Sequence, residues 1–290
     1  MKKTLITATA VATVMSASAA YAELSLGGAL ARSIVTGDGT AGITNTSTSS
    51  TINVDYTTTL DNGMGMAANA DITPGGTTYL LTMSSSMGSF FTGADFASAM
   101  DSYDGAQGAG TYGGGGRILA STNSAYNDGD AASGNGFGIS TSLAGASVQV
   151  TMGDNSVAAQ SDNRVLSVAA SYNLAGISLK GGNTDFGTAN DHSFYSAGYS
   201  VGGFGLGYNV YDSNTETVTQ VGASTSIGGL GVGVSFAEAD NSGSTADSDA
   251  MGIHVNGSLG GAFWYVDYVN TDSGAGVETD KITITHGVGF

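Results

Sequence analysis

Apolar and small residues alternate strictly between Leu230 and Phe236, directly after the pair Gly228-Gly229. A β-strand places successive side chains on opposite faces, so this period of two gives one face of branched and aromatic side chains and one face of glycine and serine. Gly-Gly next to such a run is a strong hairpin signal, because a two-residue turn needs positive φ angles. The segment therefore predicts one strand of a hairpin rather than a helix.

The same unit repeats along the chain and predicts about sixteen strands. Tight turns are expected at Asn62-Gly63, Ala144-Gly145, Ala175-Gly176, Gly202-Gly203, Gly228-Gly229 and Gly260-Gly261. Longer polar connections lie between the hairpins, at 153–163, 183–191, 212–216, 238–248 and 270–280. An even number of strands lets the first and last strands pair antiparallel and leaves no free edge.

The first 22 residues are typical of a secretory signal peptide. Lys2 and Lys3 precede an uncharged, mostly apolar run at 5–17, and Ala20-Tyr21-Ala22 gives a small-x-small cleavage pattern. We therefore expect residues 1–22 to be removed and residues 23–290 to form one all-β domain. After residue 22 no stretch of about 18 apolar residues occurs, which excludes a transmembrane helix.

Charge and composition exclude several classes of function. Without Lys2 and Lys3 the chain keeps five basic residues against 24 acidic ones, a net charge of −19, which excludes nucleic acid as a partner. It has no cysteine, so thiol chemistry is excluded. The histidines at 192, 254 and 286 belong to no recognisable catalytic motif, so we expect no enzyme activity.

Short turns at one edge and long polar loops at the other are typical of an outer-membrane barrel. The predicted fold is thus a closed antiparallel transmembrane β-barrel, with Leu230 and Phe236 facing lipid and Gly231 and Ser235 facing water. A soluble β-protein, such as a secreted glycine-rich adhesin, would also alternate. It would not separate short from long connections so regularly.

The last strand carries a second signal. Ile282, Ile284, His286 and Val288 alternate with small or polar residues, and the chain stops at Phe290. This ending resembles that of outer-membrane barrels, in which a terminal Phe on an amphipathic strand is recognised by the barrel assembly machinery. The resemblance implies that Phe290 is an assembly signal.

One connection is too long to be an ordinary loop: no strand is predicted between about 95 and 136. It follows the fifth predicted strand, whose end "GSFFTGAD" at 88–95 resembles the same position in the general diffusion porins of Gram-negative bacteria. The resemblance covers nearly the whole chain. It implies a third outer loop folded into the lumen as a constriction, a homotrimer, an outer-membrane location, and passive diffusion of ions and small hydrophilic solutes.

The resemblance also implies a set of pore residues. Those on loop 3 are Asp95, Asp101, Asp104, Arg117, Asp128 and Asp130. The predicted lumen-facing wall residues are Asp55, Asp71, Arg164, Lys180 and Asp267. In the family the loop acids face an arginine cluster, whereas here Arg164 and Lys180 are almost the only opposing cations. We therefore expect a weak transverse field and modest cation selectivity.

Three points stay open at this stage. Arg32 shares the phase of Leu30 and Ile34, which a bulge, an interface position or a subunit contact would explain. A substrate-specific nutrient channel is an alternative in which tyrosines of loop 3 stack on solutes, the candidates being Tyr103, Tyr112 and Tyr126. No cofactor is predicted, although the acidic loops could bind Ca²⁺ despite having no EF-hand spacing.

Overall fold

A computed structural model describes residues 23–37, 44–94, 99–103, 136–154, 164–185, 191–214, 216–242, 247–274 and 276–289. The predicted signal peptide at 1–22 and the terminal Phe290 lie outside these residues. Within them the chain forms sixteen strands and one short helix. None of the helical segments described is both long enough and apolar enough to span a membrane.

The strands follow one another along the chain, and the helix lies between the fifth and sixth. The strands are β1 (Glu23–Gly37), β2 (Thr44–Thr59), β3 (Gly65–Thr73), β4 (Gly76–Ser85), β5 (Gly88–Gly93), β6 (Gly136–Leu143), β7 (Ala146–Asp154), β8 (Arg164–Leu174), β9 (Ile177–Asp185), β10 (His192–Val201), β11 (Phe204–Asp212), β12 (Glu216–Ile227), β13 (Leu230–Asn241), β14 (Ser248–Leu259), β15 (Ala262–Asp272) and β16 (Glu278–Gly289). The helix α1 is Ala99–Tyr103.

The sheet closes on itself. Every strand pairs antiparallel with its neighbours in sequence, and β1 also pairs with β16, from Ala29 opposite Gly289 to Gly37 opposite Lys281. Closure satisfies the hydrogen-bonding groups that edge strands would otherwise expose. The predicted closed antiparallel barrel of about sixteen strands is confirmed.

Several strands extend further than the apolar alternation predicted. β2 begins at Thr44, eight residues before Ile52, because its first half consists of Ser, Thr and Asn without apolar contrast. β13 continues to Asn241 and β14 starts at Ser248, which shortens the connection expected at 238–248. These extensions carry polar residues and raise the wall at the end that bears the long loops. One tight turn, at Pro74-Gly75 between β3 and β4, also lies at that end.

The two faces of the wall differ as the alternation predicted. On β11, Leu206 is 53% exposed on the outer face, whereas Asn209 on the lumen face is fully buried. On β13, Leu230 and Phe236 are exposed outward and Ser235 is buried on the inner side. Residues that lie directly opposite each other on neighbouring strands share a face of the sheet. The register therefore assigns each remaining residue to the outer face or to the lumen face.

Five tight turns use positive φ at both central residues, which is the type I′ geometry that matches the twist of a hairpin; they are Ala144-Gly145, Ala175-Gly176, Gly202-Gly203, Gly228-Gly229 and Gly260-Gly261. Glycine fills both places in three turns, but Ala144 and Ala175 take φ values of 51° and 50°. A residue with a Cβ is strained in this left-handed region. These two turns therefore hold strain that glycine would remove.

We predict that Ala175→Gly raises the free energy of unfolding by about 1 kcal/mol, because it relieves left-handed strain. Urea titration of the folded barrel in detergent measures the change. Gly176→Ala is the matched control, since Gly176 has a φ of 86° and the added Cβ would be strained. An equal loss of stability in both variants would contradict the assignment of strain to Ala175.

Candidate functional site

The helix α1 leaves the wall after β5 and docks on the inner side of β7, β8 and β9. The Ala99 N–H donates to Thr151 Oγ1 at 2.8 Å, and the Met100 N–H donates to Ser167 Oγ at 2.9 Å. Thr151, Ser167 and Thr184 lie in register on the three strands. The neighbours of Ser167 along β8, Leu166 and Val168, are exposed on the outer face, so this hydroxyl row faces the lumen.

An apolar cluster surrounds the docked helix. Its buried members are Ala99, Met100, Ala169, Phe194, Tyr211, Val218, Ala237, Ala239 and Ala250, and Tyr103 and Val269 pack against it. A lumen wall in contact with water along its whole length would be polar, so the cluster departs from the wet interior expected from the sequence. The helix contributes Ala99 and Met100 to this cluster from the side of β7, β8 and β9.

Tyr103 ends α1 and packs against this cluster. Burial raises the pKa of Tyr103, and a hydrogen bond with Ser147 opposes that rise. The phenol is therefore uncharged at neutral pH. Tyr103 packs against the cluster, whereas a tyrosine that stacks on solutes would present its ring to the lumen.

Two acids lie on the lumen face of the first strands. Asn69 Nδ2 donates to Asp55 Oδ1, and Asn53 Nδ2 donates to Asp71 Oδ1 at 2.5 Å. Each amide lies directly opposite its acid on the neighbouring strand. The two carboxylates are therefore held in fixed positions on the inner wall.

Lys180 lies on the lumen face of β9, opposite Ser171 and Ser196. β9 is six strands from β3 and seven from β2 around the ring. In a sixteen-stranded barrel that separation is about 135 to 160°. Lys180 therefore faces the side of the lumen that carries Asp55 and Asp71.

The acid Asp267 is held differently. Its Oδ1 lies 2.5 Å from His254 Nδ1, and the two residues are directly opposite on β15 and β14. Asp267 is only 2% exposed. The alternation of the sequence does not by itself reveal this contact, although both residues have the lumen-facing phase on adjacent strands.

The remaining predicted pore residues lie partly or wholly outside the described residues. Asp101 belongs to α1, and only the backbone of this residue is described. Arg164 is the first residue of β8 and lies opposite Asp154, and its side chain is not described. Asp95, Asp104, Arg117, Asp128 and Asp130 lie outside the described residues. Their role in selectivity stays a prediction.

Arg32 lies on the outer face of the barrel, exposed and directly opposite His286. The pairing of β1 with β2 does contain a register shift, between Ser33 and Ile34. This bulge comes after Arg32, so it does not turn Arg32 away from the face of Leu30. An interface position or a subunit contact remains as the explanation.

The closed sixteen-stranded wall agrees with comparisons to known proteins. A family model described as Gram-negative porin matches residues 7–289. The chain belongs to the Gram-negative porin family. It is an integral outer-membrane channel through which solutes diffuse passively.

Solved structures share the fold at low identity. The trimer form of OmpT, an outer-membrane protein of Vibrio cholerae, superposes with a TM-score of 0.70 at 14% identity, covering 93% of this chain and 100% of that one. A mutant porin of Rh. blastica gives a TM-score of 0.67 at 19% identity, covering 92% and 100%. No curated protein matches the chain.

We predict that Lys180→Gln increases the preference of this porin for cations by roughly twofold, because it removes a positive charge that faces Asp55 and Asp71 across the lumen. The reversal potential under a KCl gradient measures the preference. Lys180→Arg keeps the charge and should leave the potential unchanged. A shift toward anions in Lys180→Gln would contradict the lumen position of the ammonium group.

Proposed function

We propose that this porin is a general diffusion channel for ions and small hydrophilic solutes, with modest cation selectivity and a constriction formed by loop 3, about 95–136. The observation that carries the proposal is the docking of α1 on the lumen face of β7 to β9. It directs the chain after β5 inward. A barrel of sixteen strands is wide enough for an aqueous channel, so a segment inside it limits solute size.

Charge supports the preference for cations. The predicted mature chain carries 19 more acids than basic residues, and Asp55 and Asp71 are fixed on the inner wall. Mobile cations concentrate in such a lumen, most strongly at low salt where the Debye length is long. The proposed transport is passive and involves no enzyme activity.

General diffusion is favoured over a substrate-specific nutrient channel. Tyr103 packs against the apolar cluster and is partly buried, which favours an anchoring role over stacking on a passing sugar. Tyr112 and Tyr126 lie outside the described residues. Calcium on the acidic loops stays a prediction: among the residues that are described, no three or more His, Cys, Asp or Glu form a group suited to a metal ion.

We further propose that three copies associate through the side of the barrel that contains β1 and β5. His286 lies three residues before the end of β16, about 8 Å into the wall at 3.3 Å per residue and a tilt of about 40°. Arg32 lies opposite it, inside the apolar band. An Arg that faces lipid costs up to about 2 to 4 kcal/mol at the bilayer midplane and less nearer the interface, and a protein contact avoids this cost.

The height of the wall gives independent support for association. β5 has six residues. At the same rise and tilt it spans only about 15 Å, less than the apolar band of roughly 25 Å. A wall this low at β5 would leave part of the apolar band for another subunit to cover. Recognition of Phe290 by the barrel assembly machinery completes the proposed route into the outer-membrane lipid.

Single-channel recording of the purified protein with neutral polymers of graded size tests the channel proposal. We expect stepwise ohmic currents, exclusion of the larger polymers and a reversal potential that favours K⁺ over Cl⁻. A preference for anions would contradict the selectivity, and block by one solute at low concentration would favour the nutrient channel.

Arg32→Leu tests the subunit contact. At an interface the change removes polar contacts and lowers the temperature at which the trimer dissociates on unheated detergent gels. If Arg32 faced lipid, the same change would stabilise the barrel, by at most about 2 to 4 kcal/mol, and leave the trimer intact. Tyr208→Leu, on the exposed outer face of β11 across the barrel, is the control and should not alter dissociation.

A further inference from the structure

Two hydrogen bonds between Met100 of α1 and the wall are linked by a third hydrogen bond within the wall. Its backbone N–H donates to Ser167 Oγ at 2.9 Å. Ser167 Oγ lies 2.9 Å from Thr184 Oγ1, and Thr184 Oγ1 lies 3.5 Å from Met100 Sδ. Together these contacts form a closed ring, which we call the Met100 ring.

The chemistry of the groups fixes the direction of every bond in the Met100 ring. A thioether sulfur carries no hydrogen and only accepts, so the Thr184 hydroxyl donates to Met100 Sδ. Thr184 has one hydroxyl hydrogen, so the Ser167 hydroxyl is the donor between the two hydroxyls. Ser167 Oγ then accepts from the Met100 N–H. Each donor in the ring is used once.

The burial of the ring makes its partners hard to replace. Met100, Ser167 and Thr184 are all fully buried. A hydroxyl that loses its acceptor in such a place cannot turn to water, and leaving a buried donor unsatisfied costs more than an ordinary hydrogen bond contributes. The ring therefore stabilises the docked α1 only when all of its bonds are made, because a missing acceptor leaves a hydroxyl unsatisfied in the docked state, whereas water can satisfy it once α1 has undocked.

α1 depends on these contacts with the wall, because it is too short to be stable alone. Five residues lie far below the length at which an isolated helix is stable. The first amides of a helix have no intrahelical partner, and here those of Ala99 and Met100 are satisfied by wall hydroxyls. The wall thus supplies both the end cap and the packing of the helix.

We infer that Met100 is the positioning residue of loop 3, and that the Met100 ring fixes where this loop enters the lumen. The inference rests on the proposed channel function, which it deepens by assigning the anchor of the constriction. Leucine would fill the same volume but accept no hydrogen bond. Sulfur at this position, and not apolar bulk alone, keeps the loop docked.

The ring predicts an unusual pattern in a double-mutant cycle of Met100→Leu and Thr184→Val. Each single variant leaves one buried hydroxyl hydrogen without an acceptor, and the double variant also leaves only one. We therefore expect each single variant to raise the undocked fraction roughly tenfold, or about 1.4 kcal/mol, and the double variant to raise it by the same tenfold. Independent contacts would instead multiply to roughly a hundredfold.

Alkylation of an Ala99→Cys background measures the undocked fraction without any channel assay. Residue 99 is fully buried in the docked state, and the chain has no native cysteine. The rate of labelling by a water-soluble maleimide then reports undocking. Thr184→Ser, which keeps the hydroxyl, should label at the background rate, and heat-modifiable gel mobility shows that every variant contains a folded barrel.

Single-channel current tests whether the Met100 ring positions loop 3, because a ring that only stabilised the fold would leave the current unchanged. We expect greater open-channel noise and a larger polymer exclusion limit in both single variants, with no further increase in the double. Additive or unchanged labelling overturns the ring. Raised labelling with unaltered current overturns its positioning role. If the parent protein forms no channel, the proposed function is wrong. The maleimide labelling of residue 99 still decides, in that case, whether the ring holds α1 on the wall.

Discussion

The requirement that every backbone amide in the wall find a partner within the protein governs this structure. Inside a lipid bilayer no water can satisfy an open sheet edge, so a sheet must close. Here closure falls on β1 and β16, which pair over nine positions from Ala29 opposite Gly289 to Gly37 opposite Lys281. Once the ring is closed, the period of two along each strand separates an apolar outer face from an inner face that tolerates glycine, hydroxyls and charge.

Closure also creates an interior that is sheltered from lipid and partly from water. A five-residue helix, which would not persist alone, can form there because the hydroxyls of Thr151 and Ser167 and an apolar patch of the wall receive it. The opposite side of the lumen keeps fixed acids, with Asp55 and Asp71 held by asparagine amides. The lumen therefore has a packed side and a side with fixed acids, and the proposed size limit and ion preference both depend on this asymmetry.

The sequence predicted what depends on local periodicity. The alternation around Gly228-Gly229 predicted the turn between β12 and β13 and the outer and inner faces of these strands. The separation of short from long connections indicated a barrel. The alternation did not predict the first half of β2, where Ser and Thr give no apolar contrast. It also did not predict the apolar lumen patch, because Phe194 and Tyr195 are both large and hide the alternation. It also missed the contact of Met100 with Ser167, since these residues are 67 positions apart and meet only after the strands have aligned.

A cross-link between the first and last strands tests closure most directly. Ser33 Oγ lies 2.8 Å from Thr285 Oγ1, on opposing lumen-facing positions of β1 and β16. In this cysteine-free chain, Ser33→Cys combined with Thr285→Cys should form an intramolecular disulfide on oxidation. The boiled, unreduced chain should then migrate faster on a gel than the reduced chain, because 252 positions separate the two residues. Failure to form this bond in folded protein, or exclusively intermolecular cross-links, would contradict a closed barrel.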